Sequence, residues 1–228
     1  MKKSWICAAA CALLFFLSGC YGNRIGFSSG PKSYEQELIE KAAAAVESLR
    51  CNPEAGRFDL YLQHARGVLI FPRLLKAGLI LGGKGGNGVL LARDENSVWS
   101  APAFYSLREV SWGFQAGIQE ITLVLVFMNE TVLDAAVDSG MTLSFDGSIA
   151  AGSTGAKGEL SSVTMFKDIY YFSDVGGVYA GLSLEGGMIK VRQESNESYY
   201  GARATPRDII YGLKFDHPGA EILKDALH

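Results

Sequence analysis

Glycine recurs at short intervals after Gly67 and separates short runs of apolar residues. The runs are rich in valine, isoleucine, leucine, tyrosine and phenylalanine, and Gly, Asp, Asn or Ser stand between them. Short β-branched and aromatic runs with turn residues between them are typical of antiparallel sheets. Glycine inside a strand marks a bulge, a bend or a close backbone approach. The pattern therefore predicts a strongly curved antiparallel sheet.

We predict ten strands and three short helices in this region. The strands are Val68–Phe71, Leu79–Gly82, Val89–Ala92, Val98–Ala101, Trp112–Ile118, Thr122–Phe127, Leu143–Ala151, Ile169–Phe172, Val178–Leu184 and Met188–Val191. The helices are Glu130–Val137, one near Pro206–Tyr211 and one in the tail after Pro218. The glycine-rich segment between Gly82 and Val89 is interpreted as a connection between two strands.

Two helices precede the predicted sheet. Ser33 and Gln36 have the spacing of a capping box, and apolar residues then recur at helical spacing to Leu49. Pro53 follows this helix, and a second helix is predicted over about 54–64. The apolar stripe of the first helix is largely alanine, and acids outnumber bases on its other faces. Membrane-surface helices usually carry Lys or Arg and bulky anchors, so packing on the sheet is favoured over lying on a membrane. We expect an α+β fold: a curved antiparallel sheet, a flattened barrel or sandwich, with the N-terminal helices packed on it.

The first 19 residues have the three parts of a signal peptide. Lys2 and Lys3 are followed by an apolar run and then by small residues at the cleavage site. The apolar run is shorter than the roughly 20 residues that span a bilayer. Residues 17–20, Leu-Ser-Gly-Cys, resemble the bacterial lipobox. This resemblance implies cleavage before Cys20, a diacylglyceryl thioether on its sulfur and acylation of the new amino group.

Three regions follow from that cleavage: a signal peptide over 1–19, a lipidated flexible tether over 20–32, and a single domain over 33–228. The tether is rich in Gly and Ser. After cleavage only Cys51 is left beside the lipidated cysteine, so no internal disulfide is expected. Tyr21 is not the Asp that resembles an inner-membrane retention signal. We therefore expect an outer-membrane anchor, with the domain facing the periplasm.

Charge argues against nucleic-acid binding. The formal net charge of the whole chain is −3, and loss of Lys2 and Lys3 makes the mature chain more acidic. Binding to nucleic acid without sequence preference depends on dense Lys and Arg, and the chain has no such run. Nucleic acid is therefore not an expected partner.

Two motifs and the histidines could indicate nucleotide binding, catalysis or metal binding, but the surrounding sequence supports none of these. Residues 83–88 match G-x-G-x-x-G, but a dinucleotide site needs a helix to start there, and residues 89–99 have the pattern of a strand and a turn. Residues 26–30 match G-x-S-x-G, but they lie in the tether and not between a strand and a helix. His64, His217 and His228 are far apart and have no metal-ligand spacing. We expect no catalytic residue, no metal and no cofactor.

A local basic cluster remains after these exclusions. Arg66, Arg73, Lys76 and Lys84 fall within nineteen residues and are interleaved with apolar residues: Phe71, Leu74, Leu75 and Leu79. Cations beside exposed apolar groups bind anionic lipid surfaces at roughly 1 kcal/mol per cation. The alternative is that these are solvated loop charges.

Several ordered segments are similar to the SYLF-domain family. They are His64–Pro72, Leu75–Gly78, Gly82–Val89, Trp99–Pro102, Gly113–Gly117, Val178–Gly186, Tyr199–Gly201 and Thr205–Ile209. The resemblance implies a lipid-binding module. Eukaryotic members bind phosphoinositides and, in fungi, actin filaments, and bacterial members are commonly exported. It assigns headgroup contact to Lys76 and Lys84, while Arg73 is added on the local charge argument. This chain lacks the strongly basic N-terminal helix of the eukaryotic pattern.

The leading hypothesis is a non-enzymatic, membrane-anchored lipoprotein that binds phospholipid at the cell envelope. One alternative is a structural lipoprotein that docks a protein, and the sequence does not identify that partner. Another is a hydrolase acting on envelope lipid or peptidoglycan, which needs a cleft with a positioned acid or nucleophile.

Overall fold

A computed structural model describes most of the predicted domain. The described residues are 32–52, 55, 57–78, 81–112, 117–143, 149–151, 169–175, 178–179, 187–201, 203–212 and 214–228. Residues Ser33–His228 form one compact unit. The predicted signal peptide, Cys20 and the tether up to residue 31 lie outside the described residues.

Six α-helices occur in the described part of the chain. They are α1 (Tyr34–Cys51), α2 (Phe58–Gln63), α3 (Glu130–Ser139), α4 (Gln193–Tyr200), α5 (Pro206–Ile210) and α6 (Glu221–Leu227). Side-chain caps fix three of their starts: Ser33 Oγ accepts from the Gln36 N–H, Asn129 caps α3, and Thr205 caps α5. A cap of this kind satisfies an N–H that has no partner within the helix.

Nine strands form a single antiparallel sheet among the described residues. They are β1 (Gly67–Gly78), β2 (Leu81–Ala92), β3 (Ala103–Trp112), β4 (Gly117–Phe127), β5 (Met141–Leu143), β6 (Ile149–Ala151), β7 (Ile169–Val175), β8 (Val178–Tyr179) and β9 (Met188–Val191). Their order across the sheet is β6-β5-β9-β3-β2-β1-β4-β7-β8. The long strands β1 to β4 form its centre.

Helices cover both faces of the sheet. On one face α1, α2 and α6 pack against side chains that include Ile70, Val89 and Phe104. On the other face α3 and α5 pack against Phe71, Leu90 and others. The first and last helices lie in the same core, where Leu38, Leu49, Leu223 and Leu227 are all buried. The predicted α+β class, with a curved sheet and N-terminal helices packed on it, is confirmed.

A bulge in β1 bends the centre of the sheet. The register of β1 shifts between Ile70 and Arg73 against β2, and between Phe71 and Leu74 against β4. Pro72 lies at this point and has no N–H to donate, so a bulge is where a strand tolerates it. Thr122 Oγ1 donates a hydrogen bond to the Pro72 carbonyl at 3.1 Å.

The glycine-rich segment is part of a strand, so the prediction of a connection there is wrong. Gly82 to Gly88 lie inside β2 and pair with both β1 and β3. A Cβ on Gly86 would lie 2.3 Å from the Arg73 carbonyl oxygen, and one on Gly88 would lie 2.3 Å from that of Ile70. The bulged strand β1 approaches so closely that no side chain fits at these two positions.

Three other predictions need correction, and one helix was missed. Val98–Ala101 is not a strand and contributes only the bridge between Arg93 and Trp99. Trp112 and Ile118 belong to β3 and β4, which are separated in the sheet by β2 and β1. Residues 143–151 contribute to two strands, β5 and β6, which pair with each other. Helix α4 was not predicted, because its sequence is mostly polar.

Candidate functional site

Among the described residues, no helix covers one end of the sheet on the face that carries α1. Large apolar side chains are exposed there: Ile118 at 78%, Leu75 at 42% and Met188 at 38%. We call this region the open face. It consists of Arg73, Leu75, Gly83, Gly85, Asn87, Arg108, Ile118, Glu120, Met188 and Lys190.

The strand register shows that these residues share a face. Arg73 pairs with Asn87, and Leu75 pairs with both Gly85 and Glu120. Arg108 pairs with Gly85 on one side and Met188 on the other. Directly paired residues point to the same side of a sheet, and alternate residues along each strand do so as well. Asn87 continues the row of Val89 and Leu91, which α1 covers.

At Gly83 and Gly85 the open face has no side chains, so the backbone of β2 forms its surface. A Cβ added to Gly83 or Gly85 would meet only a neighbouring backbone oxygen, at 3.4 Å. This is ordinary van der Waals contact, unlike the clash at Gly86 and Gly88 on the opposite face. The glycines of β2 thus have two roles: those on one face allow close packing of β1, and those on the other expose backbone.

Positive charge dominates the open face. Arg73 forms an ion pair with Glu120, and both side chains are more than half exposed. Arg108 and Lys190 are exposed, and they make no ion pair among the residues that the structure describes. An exposed ion pair stabilises a protein by about 0–1 kcal/mol, so Arg73 can exchange Glu120 for another anion at little cost.

Helix α1 begins at the border of the open face. The Asn87 side-chain amide donates a hydrogen bond to the Tyr34 hydroxyl at 2.6 Å. The guanidinium of Arg192 lies 5.3 Å from the centre of the Tyr34 ring. The first residue of α1 therefore lies beside this face.

The structure separates the three residues that were predicted to contact a headgroup. Arg73 lies on the open face, whereas Lys76 is half-buried on the opposite face. Lys84 is only 4% exposed, and its Nζ lies 2.8 Å from Glu109 Oε2. Burial lowers the pKa of Lys84, and the hydrogen bond that its ammonium donates to Glu109 partly offsets that effect. A buried, paired ammonium is not placed to meet a lipid surface, so Lys84 does not fit its predicted role.

Arg108, Ile118, Met188 and Lys190 were missed by sequence reasoning. The sequence signal that could have found them is the two-residue alternation of side chains along a strand. Arg108 follows Phe104 by four residues, and Lys190 follows Met188 by two. That period places them on one face only once the strand boundaries are known. Trp112 and Ile118 had been joined in one predicted strand, which removed Ile118 from the argument.

A second concavity lies at the opposite end of the sheet. It has a volume of about 400 Å³ and includes Arg66, Trp99, Ser100 and Arg207 in its lining. The Ser100 hydroxyl donates to the Ala101 carbonyl and accepts from the Ala92 N–H. No histidine is among its lining residues, so the described part of this cleft offers no serine–histidine pair for hydrolysis.

The described part of the chain contains no group of three or more His, Cys, Asp and Glu that could hold a metal ion. Within the same ranges, no helix is both long enough and apolar enough to cross a membrane.

Fold and site together define an α+β domain with an open, cation-bearing face on its antiparallel sheet. The chain belongs to the Ysc84 family. The family model, described as Las17-binding protein actin regulator, matches residues 108–228. The SYLF-domain resemblance seen in the sequence is thereby confirmed.

Curated relatives extend the match over most of the chain. Protein YSC84 of Saccharomyces cerevisiae is 30% identical over 201 residues, which cover 85% of this chain and 43% of that protein. LAS seventeen-binding protein 3 of the same species is 28% identical, with 80% and 41% covered. SH3 domain-containing YSC84-like protein 1 of Mus musculus is 29% identical, with 65% and 44% covered. The chain thus spans less than half the length of these relatives. No solved structure matches it.

Proposed function

We propose that this protein is a non-enzymatic, membrane-anchored lipoprotein whose open face binds phospholipid at the surface of the cell-envelope membrane. The observation that carries the proposal is the open face itself. Exposed Ile118 and Leu75 lie on the same face of the sheet as Arg108 and Lys190, which have no ion-pair partner among the described residues.

The chemistry of this face suits the boundary between headgroups and acyl chains. An exposed isoleucine or leucine side chain that becomes buried contributes about 1.5–3 kcal/mol. Each cation near an anionic surface contributes about 1 kcal/mol. After the cost of ordering the contact, such a sum corresponds to a dissociation constant on the order of 0.1 mM. The face alone would bind membranes weakly.

The predicted tether compensates for this weakness. A flexible chain from Cys20 to Lys32 has a root-mean-square length of about 20 Å, and its maximum reach is about 45 Å. It would enter the domain beside the open face, because α1 begins there. A lipid on Cys20 would hold this face near the bilayer at millimolar effective concentration. We place the anchor in the outer membrane, with the domain facing the periplasm.

Vesicle flotation of the unlipidated chain from residue 21 tests the proposal. That chain keeps both cores, because their described members lie between Leu38 and Leu227. We expect flotation of the unchanged chain and its loss in Ile118→Asp. The matched control is Ile222→Asp, which changes an isoleucine that is 49% exposed on α6, away from the open face. No flotation of the unchanged chain, with zwitterionic or anionic vesicles, would overturn lipid binding.

Two further variants test the anchor and the other predicted cation. Cys20→Ala in the full-length protein should move it to the soluble fraction, and retention on the membrane would refute the anchor. Lys76→Glu should weaken flotation less than Arg73→Glu, because Lys76 lies on the covered side of the sheet. If Lys76→Glu and Arg73→Glu weaken flotation equally, then both faces at this end of the sheet contact the membrane, and not the open face alone.

A protein-docking lipoprotein is the second candidate. It is favoured by the names of the relatives, which describe Las17 binding and actin regulation. Affinity capture from envelope extract distinguishes the two. One stoichiometric protein retained by the unchanged chain, together with no flotation on vesicles, would favour docking.

A further inference from the structure

Three cations stand in a line at the β3–β9 side of the open face. Lys190 and Arg192 alternate along one strand and its continuation, and Arg108 lies diagonally across from Lys190 on β3. The Arg192 N–H donates to the Phe104 carbonyl at 2.9 Å, which extends the β3–β9 ladder to this residue. Alternate residues of a strand are about 7 Å apart. We call Arg108, Lys190 and Arg192 the cation row.

Within the described residues, no carboxylate pairs with the cation row. Glu109 points to the other face, where it pairs with Lys84. Glu120 on β4 pairs with Arg73 on β1, and β2 separates this ion pair from the cation row. Glu194 stands in the first turn of α4 and forms no ion pair with Arg192 within the described residues. The row thus keeps three positive charges on one face.

Arg192 forms one end of the row and is held in place by its contacts. Its guanidinium lies 5.3 Å from the centre of the Tyr34 ring, and its Nη1 atom is buried, with no hydrogen-bond partner within the described residues. Arg192 therefore adds positive charge at the border of the row, while exposed Arg108 and Lys190 are the groups that a ligand can contact. Ser106, which pairs directly with Lys190, lies between Arg192 and Arg108, and its hydroxyl donates to the Lys190 carbonyl at 3.5 Å.

From this arrangement we infer that the cation row is a phosphate-binding subsite, which takes the phosphate group of an anionic phospholipid. The inference rests on the proposed function and makes it more specific. The exposed guanidinium group of Arg108 offers paired N–H donors that match two phosphate oxygens, and half-buried Arg192 adds positive charge at the end of the row. Lys190 adds a point charge between them. The apolar residues Leu75, Met188 and Ile118 stand on the same face to receive the acyl-chain region.

The test compares two anionic lipids of equal charge. Phosphatidylcholine vesicles carry the same mole fraction of either phosphatidylglycerol or a succinylated diacylglycerol, whose anion is a carboxylate. The unchanged chain from residue 21 should bind the phosphatidylglycerol vesicles several-fold more tightly. Arg108→Gln/Lys190→Gln should weaken that binding about 25-fold, since each cation is worth about fivefold, and should make the two vesicle types equal.

A double variant of the same charge serves as the control. Arg57→Gln/Lys41→Gln removes two exposed cations from α1 and the start of α2, on the outer side of the helical layer. We expect less than a twofold change in its binding. Thermal unfolding of both double variants shows whether a loss of binding comes from a loss of fold. If Arg108→Gln/Lys190→Gln unfolds, Arg108→Lys replaces it, which keeps the charge and removes the paired donors.

Each outcome has a distinct meaning. If the unchanged chain floats equally on both vesicle types and the two double variants behave alike, the subsite is refuted while lipid binding stands. If the unchanged chain floats on neither, the proposed function itself fails. A titration with inorganic phosphate, followed through the amide NMR signals of Ser106 and Lys190, distinguishes a lipid headgroup from free phosphate as the ligand. Saturation at micromolar phosphate without lipid would overturn the assignment to a phospholipid.

Discussion

The buried pair of Lys84 and Glu109 gives the sharpest test of how this domain separates stability from binding. The two side chains are 2% and 8% exposed, and their charged atoms are 2.8 Å apart. Removal of one partner from a buried pair leaves an uncompensated charge, which costs about 3–5 kcal/mol. We therefore expect Lys84→Met to lower the free energy of unfolding by that amount. In a domain of this size it corresponds to a fall in Tm of about 6–20 °C.

Replacement of both partners should behave differently. Lys84→Met/Glu109→Leu removes both charges and fills similar volumes, and such exchanges are often neutral or stabilising by about 1–4 kcal/mol. Urea denaturation of the chain from residue 21, followed by tryptophan fluorescence, measures all three variants against the unchanged chain. Glu109→Leu alone should be destabilised like Lys84→Met.

Flotation of the same variants then decides the role of Lys84. The double variant should float on anionic vesicles as the unchanged chain does, because neither side chain reaches the open face. If it keeps the stability of the unchanged chain yet fails to float, Lys84 does contact lipid, and the reasoning from its burial is wrong. If Lys84→Met alone is as stable as the unchanged chain, the pair is not buried in solution.

Three more outcomes follow from described contacts. Gly88→Ala should lower the free energy of unfolding by about 1–3 kcal/mol, because its Cβ would lie 2.3 Å from the Ile70 oxygen; Gly85→Ala is the control, and equal losses in urea denaturation would contradict the assigned faces. Burial raises the pKa of Tyr105 and Tyr200 above the usual 10. Above pH 10 the unfolded chain loses these protons and the folded chain keeps them, so stability should fall as pH rises; ionisation seen at 295 nm before unfolding seen by circular dichroism would contradict this. The hydrogen bond from Arg207 lowers the pKa of the Asp138 carboxyl, so Arg207→Gln should raise it toward 3.8, as measured by carboxyl NMR; an unchanged pKa would refute that cause.

Local signals in the sequence predicted the helices well. Capping residues and helical spacing predicted α1, which begins one residue after Ser33. Thr205 and Pro206 similarly mark the start of α5. These signals work because a helix satisfies its hydrogen bonds within one segment. Helix α4 lacks them: it has no side-chain cap and carries few apolar residues.

The sheet was predictable as a class but not in its boundaries. The glycines of 82–88 predicted a connection between strands. In the structure, Gly86 and Gly88 instead leave room for the close approach of β1. That approach depends on a bulge in another strand, which no local pattern of β2 reveals. The site suffered from the same cause. Arg73 and Lys84 belong to the same basic cluster of the sequence. The strand register places Arg73 on the exposed face of the sheet and Lys84 on the buried face.

The packing of α6 against α1 has a consequence for how cooperatively the domain unfolds. Leu38 and Leu49 of α1 lie in one core with Leu223 and Leu227 of α6, although the whole sheet stands between the two helices in the sequence. Neither helix buries its apolar side without the other. We therefore expect α1 and α6 to be lost in one transition, in which fraying of α6 exposes the apolar side of α1 as well.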